Sequence, residues 1–84
     1  EDVVAEMHRA DITSLLESAL LRLPDQQRIA IVLSYHENLA NEEIAEAMGT
    51  TVSAVESLLK RGRQQLRRLL DRAQDDIRQL FSEN

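Results

Sequence analysis

Between Lys60 and Arg68 the chain carries five bases, Lys60, Arg61, Arg63, Arg67 and Arg68, and not one acid. Ammonium and guanidinium groups gathered in this way hold phosphate, through charge-assisted hydrogen bonds and counterion release. Small polar side chains, Ser53 and Ser57, precede them at a spacing that suits entry into a nucleic-acid groove. Residue sets for covalent or redox chemistry are missing. His8 and His36 stand far apart with no second ligand at metal spacing, and there is no cysteine. Glu42 and Glu43, like Asp75 and Asp76, are adjacent, so on a helix they point to different sides and read as solvated charge. Neither a glycine-rich phosphate loop nor a Ser/His/Asp set occurs. The expectation is a binding domain with no catalytic residue, no metal and no cofactor.

The elements that must position these bases are two short amphipathic helices joined across one glycine, in the run from Asn41 to Leu70, NEEIAEAMGTTVSAVESLLKRGRQQLRRLL. Ile44, Ala45 and Met48 make one apolar stripe, with Glu42, Glu43 and Glu46 around the first turns, where the helix dipole favours negative charge. Gly49 supplies the left-handed conformation that ends a helix cheaply. Thr50 or Thr51 then caps a second helix, whose Val52, Val55, Leu59, Leu66 and Leu69 keep the helical period. With Val55, Leu59 and Leu66 turned inward, the opposite face carries Ser53, Ser57, Lys60, Arg61, Gln64 and Arg68. Glu56 and Arg63 lie on one flank and Leu58 on the other. This is the sequence pattern of a helix-turn-helix whose second helix reads DNA.

The stretch from Leu23 to Leu70 closely resembles region 4 of bacterial sigma factors, in particular the extracytoplasmic-function (ECF) group. The likeness rests on a linked set: the LP-x-x-Q-R opening at Leu23 to Arg28, the EEIA of the first motif helix, the glycine turn, and VSAVESLLKRGR followed by QQLRRLL. It implies recognition of the −35 promoter element, docking on the flap of RNA polymerase core, and masking by an anti-sigma factor. Carried over by position, Ser53, Glu56, Ser57 and Lys60 fall where relatives face bases. Arg61, Arg63 and Arg67 fall where they reach the backbone, and Thr51 completes the expected DNA-binding set at the first turn. Four positions depart from the family pattern. Glu56 stands where many relatives have a base, and Leu58 where they have arginine. Glu56 either accepts a hydrogen bond from a cytosine amino group or braces Lys60 or Arg63; Leu58 either touches a thymine methyl or packs at the core edge. Gly62 stands where relatives often carry alanine, a choice that costs roughly 1 kcal/mol in a helix interior. Close approach of a neighbouring helix explains it, and so does tolerated drift. Ala40 replaces the usual serine or threonine, leaving Asn41 as the expected N-cap. Two other functions share parts of the pattern: a sigma-like mimic that occupies an anti-sigma factor, and the output domain of a response regulator. The lead-in and the LLKRGRQQLRRLL ending fit a sigma factor better.

Upstream, Ile12, Leu15, Leu16, Ala19, Leu20 and Leu23 trace a helical stripe, expected to begin near Asp11 to Ser14, with Ser14 and Glu17 as a capping box. Pro24 opens the next helix, where its missing N–H is harmless. That helix is expected to run to His36, to bury Ile29, Ile31, Val32 and Leu33, and to end at a left-handed Asn38. The organisation expected is residues 1–10 as linker or helix extension from a preceding domain, 11–72 as the helix-turn-helix domain, and 73–84 as a helical tail. Val3, Val4 and Met7 keep helical spacing in the first segment. In the tail, Ile77, Leu80 and Phe81 form a strip expected to pack on the domain. A complete sigma factor also needs a region 2 for the −10 element, which none of these residues supplies.

Length and composition agree with one small all-α domain of four to five helices. At 84 residues, 43% of them apolar, with one proline and two glycines, the chain buries about 60% of its unfolded surface. No apolar run approaches a membrane span and no signal peptide is apparent, so a cytoplasmic location is expected. The net charge of −5 opposes DNA binding, but it is unevenly placed. Residues 1–51 hold ten acids and three bases; residues 52–84 hold seven bases and five acids. Screening over about 8 Å lets the basic face meet phosphate, while the acidic remainder weakens non-specific affinity. The expected behaviour is weak binding alone and strong binding when tethered.

Overall fold

The computed structural model describes residues 3–82, and side chains from residue 11 to residue 76 and at residue 79. Four α-helices appear in chain order: α1 (Val3–Leu21), α2 (Asp25–Ile31), α3 (Asn41–Met48) and α4 (Val52–Ser82). No strand occurs among the described residues. A π-helical turn, Val32–His36, continues α2 directly. At 1.5 Å per residue, α4 alone is about 46 Å long, and it sets the long dimension of a flat molecule measuring 51 × 31 × 14 Å.

Helix ends follow local chemistry. Pro24, with φ −55° and ψ 147°, is the N-cap of α2, and its carbonyl accepts the N–H of Arg28 at 3.0 Å. The side chain of Arg28 returns to the same junction, donating to the Leu23 carbonyl at 3.3 Å and pairing with Asp25 at 2.8 Å. Asn38 is left-handed at φ 57°, as its type allows, and turns the chain after the π-helical segment. The wider pitch there is made by Glu37 donating to the Val32 carbonyl at 3.2 Å.

Three local expectations fail. Ser14 and Glu17 form no helix start: α1 already runs from Val3, and Ser14 lies exposed in its middle. Residues 3–10 contain no glycine or proline, so nothing stops the helix short. The N-cap of α3 is Ala40, not Asn41, which is the first helical residue. An alanine methyl accepts no hydrogen bond, so the cap is made from the other direction: Oε1 of Glu43 accepts the Ala40 N–H at 2.8 Å. The helix after Pro24 is also less buried than its composition suggests. Ala30 and Ile31 are buried and Leu33 is half-buried, but Ile29 is 43% and Val32 37% exposed. That helix lays one face on α4 and leaves the rest open.

The core is one apolar cluster drawn from every helix and from the turn after α1: Ala19 and Leu23, Ala30 and Ile31, Ile44 and Ala45, and Val55, Leu59 and Leu69. Ile44 and Val55 are fully buried. On α1, Ala19 is buried, while Leu15 and Leu20 are half-buried and Ile12 and Leu16 are largely exposed. The side chains of Val3, Val4, Met7 and His8, and of Ile77, Leu80 and Phe81, lie outside the described residues.

Gly62 is buried in the middle of α4, and a Cβ there would stand 2.6 Å from Cδ1 and 3.3 Å from Cγ1 of Ile31. Close approach of α2 therefore explains the glycine. Gly62→Ala gains helix propensity of about 1 kcal/mol but pushes the end of Ile31 aside, and should leave stability nearly unchanged. Gly62→Leu must separate the helices and should cost about 1–3 kcal/mol. Urea unfolding of the two variants checks both values.

Candidate nucleic-acid interface

The helix-turn-helix consists of α3, the residues Gly49, Thr50 and Thr51, and α4. Gly49 has φ 66° and ψ 40°, the left-handed region. Its N–H donates to the Glu46 carbonyl at 3.3 Å, and the Thr50 N–H donates to the Ala45 carbonyl at 2.9 Å. These are the two hydrogen bonds of a Schellman ending, which close α3 and redirect the chain within three residues. Thr51 then caps α4: its hydroxyl accepts the Ala54 N–H at 3.1 Å, and its carbonyl accepts the Val55 N–H at 3.0 Å. The sequence left Thr50 and Thr51 equivalent; the structure assigns the cap to Thr51. Its hydroxyl oxygen is engaged by the helix backbone, which leaves the O–H hydrogen free to donate outward.

Burial of Val55 and Leu59 fixes the rotation of α4 about its axis. At about 100° per residue, Ser53, Ser57, Lys60 and Gln64 point away from the core, and all four are exposed. The remaining candidates divide between two flanks, because positions two apart differ by about 200° around a helix. Glu56, Arg63 and Arg67 are exposed on one flank and Arg61 on the other. Arg63 is held in place, its Nη1 donating to the Tyr35 hydroxyl at 2.9 Å. Arg61 borders a shallow recess at the turn, together with Thr50, Ala54, Ser57 and Leu58. Eight candidate residues thus form an outward face and two differently supported edges.

Of the alternatives at Glu56 and Leu58, the packing is now visible. Leu58 is half-buried and packs against the core cluster. Glu56 has no ion pair with Lys60 or Arg63. Its carboxylate stands exposed beside the outward face. Tyr35 was not foreseen as a partner. It is 28 residues from Arg63, and no periodicity in either segment links them.

Behind this face, α1, the π-helical segment and α4 enclose an apolar groove of about 700 Å³. Leu16, Leu20, Ile31, Val32 and Leu66 line it, and Glu17, His36 and Arg63 stand at its polar edge. Among the described residues no group of three His, Cys, Asp or Glu side chains is placed to hold a metal ion. No described helix is long and apolar enough to cross a membrane.

Residues 13–66 match the family model described as Sigma-70, region 4. The chain is 34% identical over 70 residues to the ECF RNA polymerase sigma factor SigW of Bacillus subtilis, covering 83% of this chain and 36% of that protein. It is 42% identical over 60 residues to the ECF RNA polymerase sigma factor SigE of Mycolicibacterium smegmatis, covering 71% of this chain and 23% of the relative. With the RNA polymerase sigma factor SigZ of Bacillus subtilis it shares 33% identity over 61 residues, 73% of this chain and 35% of that one. The chain therefore spans between about a quarter and a third of the length of these relatives. The glycine-turned helix pair, the exposed polar face of α4 and the extent of these matches agree, and the chain belongs to the sigma-70 region 4 family, in its ECF group.

Proposed function

We propose that this domain reads the −35 promoter element for an ECF-type RNA polymerase sigma factor and so directs transcription initiation, with no chemistry of its own. The observation that carries this reading is the presentation of α4: Val55 and Leu59 are locked into the core, which leaves Ser53, Ser57 and Lys60 exposed on its first turns. A helix held this way enters a major groove with its N-terminal half and meets phosphate beyond it. In this reading Thr51, Ser53, Glu56, Ser57 and Lys60 approach the bases, while Arg61, Arg63 and Arg67 meet the two backbones that border the groove. The division of Arg61 from Arg63 suits a helix lying between two strands.

The domain works tethered. Its net charge of −5 keeps non-specific affinity low, and attachment to polymerase and to a second promoter-binding domain raises its local concentration at the element. Residues 11–72 are the working unit, and the cytoplasm, where promoter DNA and polymerase meet, is its place. The apolar groove behind the DNA face is the surface for protein partners, the flap of RNA polymerase core and an anti-sigma factor. Exposed Leu16 and Val32 on its wall support this.

Selection of duplexes from a random library at low salt should enrich one short motif, and the Lys60→Ala, Arg61→Ala double variant should lose it. No enrichment even with the domain tethered to DNA would move the function to a sigma mimic that meets only protein. Glu56→Ala should change preference at one or two base pairs by about 1–3 kcal/mol if its carboxylate faces a cytosine, read by competition among single-base variants of the motif. Leu16→Glu with Val32→Glu should weaken binding to RNA polymerase core at least tenfold, measured with purified core enzyme, and leave the selected motif unchanged.

A further inference from the structure

A second basic site joins the turn after α1 to the helix-turn-helix. The turn after α1 brings Arg22 and Pro24 against the middle of α4, and a cleft of about 400 Å³ opens there. Arg22, Arg61 and Arg68 line it together with Gln27, Gln64 and Gln65, and no acid does. All three arginines are exposed, and none forms an ion pair with an acid among the described residues. Two acids stand three residues from a cleft arginine: Asp25, beside Arg22, is taken up by Arg28 at 2.8 Å, and Asp71, beside Arg68, does not line the cleft. Three guanidinium groups facing one cleft repel one another until an anion sits among them, and their planar donors suit phosphate oxygens. Gln27 adds an unmet demand: its Oε1 is buried with no hydrogen-bond partner. A guanidinium drawn inward by a bound anion can supply the missing donor.

We infer that Arg22 and Arg68, with Arg61, form a clamp for DNA backbone phosphate, so that the turn between α1 and α2 is a second DNA contact outside the helix-turn-helix. The inference rests on the proposed promoter reading. Continuity of the surface favours DNA over a free phosphate compound: Arg61 also borders the recess that holds Thr50 and Ser57 at the turn. From Ser57 to Arg68 this flank of α4 runs about 17 Å along the axis, enough to follow one strand across several phosphates. Arg22 approaches the same track from the turn after α1, and it thereby fixes how far α4 tilts in the groove. A contact of this kind adds affinity and register and reads no base.

The test uses the whole chain and the duplex enriched by the selection described above, with binding measured over a range of salt concentrations for wild type, Arg22→Ala and Arg22→Lys. Circular dichroism confirms that each variant remains helical. Arg22→Ala should lower the slope of log affinity against log salt by about one unit and weaken binding roughly tenfold near physiological salt, with the ranking of duplex sequences preserved. Arg22→Lys should recover the slope, because the charge returns. If wild type binds the duplex and Arg22→Ala keeps both slope and affinity, the clamp is wrong and promoter reading stands. The clamp is equally wrong if Arg22→Ala leaves DNA binding intact but weakens binding to RNA polymerase core, since the cleft then meets protein. A wild-type chain that binds no duplex overturns both this inference and the promoter reading beneath it.

Discussion

The approach of α2 to α4 at Gly62 is the contact on which the remaining geometry depends. With Ile31 lying where any side chain at residue 62 would be, the two helices touch nearly backbone to side chain. That closeness seats Ala30 and Ile31 in the core beside Leu59 and Leu69. It also carries the π-helical turn over α4 at one end, where Tyr35 reaches Arg63, and the α1–α2 turn over α4 at the other, where Arg22 reaches the Arg61 and Arg68 cleft. A domain this small has few places to bury apolar area, so a single tight helix crossing organises much of it. The lost helix propensity of one glycine is a modest cost beside that packing.

The helix α4 does two jobs that compete for its surface. One stripe belongs to the core, and the outward face and flanks are the surface we propose for DNA. The stripe is narrow enough for both because the exposed residues between its apolar positions are serine, glutamine, bases and the single acid Glu56, with no apolar residue opposite Val55 and Leu59. Electrostatics then work by placement and not by total. The acids crowd the first half of the chain, the bases crowd α4, and screening separates the two effects over a distance shorter than the helix itself. Under the proposed function weak intrinsic affinity suits a domain that borrows concentration from the assembly carrying it, since a strongly basic version would linger on non-specific DNA.

Much of this was legible in the linear chain wherever the cause is local. Gly49 ends α3 because the turn needs a left-handed residue, and Asn38 does the same after His36 for the same steric reason. The inward positions Ile44, Val55 and Leu59 follow from periodicity. Misjudgements fall where local signals tie or mislead. A capping-box pattern at Ser14 and Glu17 lost to eight preceding residues with no helix breaker. Ala40 capped α3 with no side-chain oxygen, because Glu43 reaches back to its N–H. The run of apolar residues from Ile29 to Leu33 suggested deep burial, yet a short helix on the surface of a flat molecule has only one face to bury.

By itself, then, the sequence determined an all-helical domain with a glycine-turned helix pair, the apolar stripe of α4 and the excess of bases along it. Hydrogen bonding and side-chain period act within a few residues, and they are written in residue order. Only the tertiary structure decided why Gly62 is a glycine, that Tyr35 holds Arg63, and that Arg22 joins Arg61 and Arg68. Each of those pairings spans roughly thirty residues or more or depends on how two helices cross. Crossing geometry comes from packing the whole core at once, which no window of the chain contains.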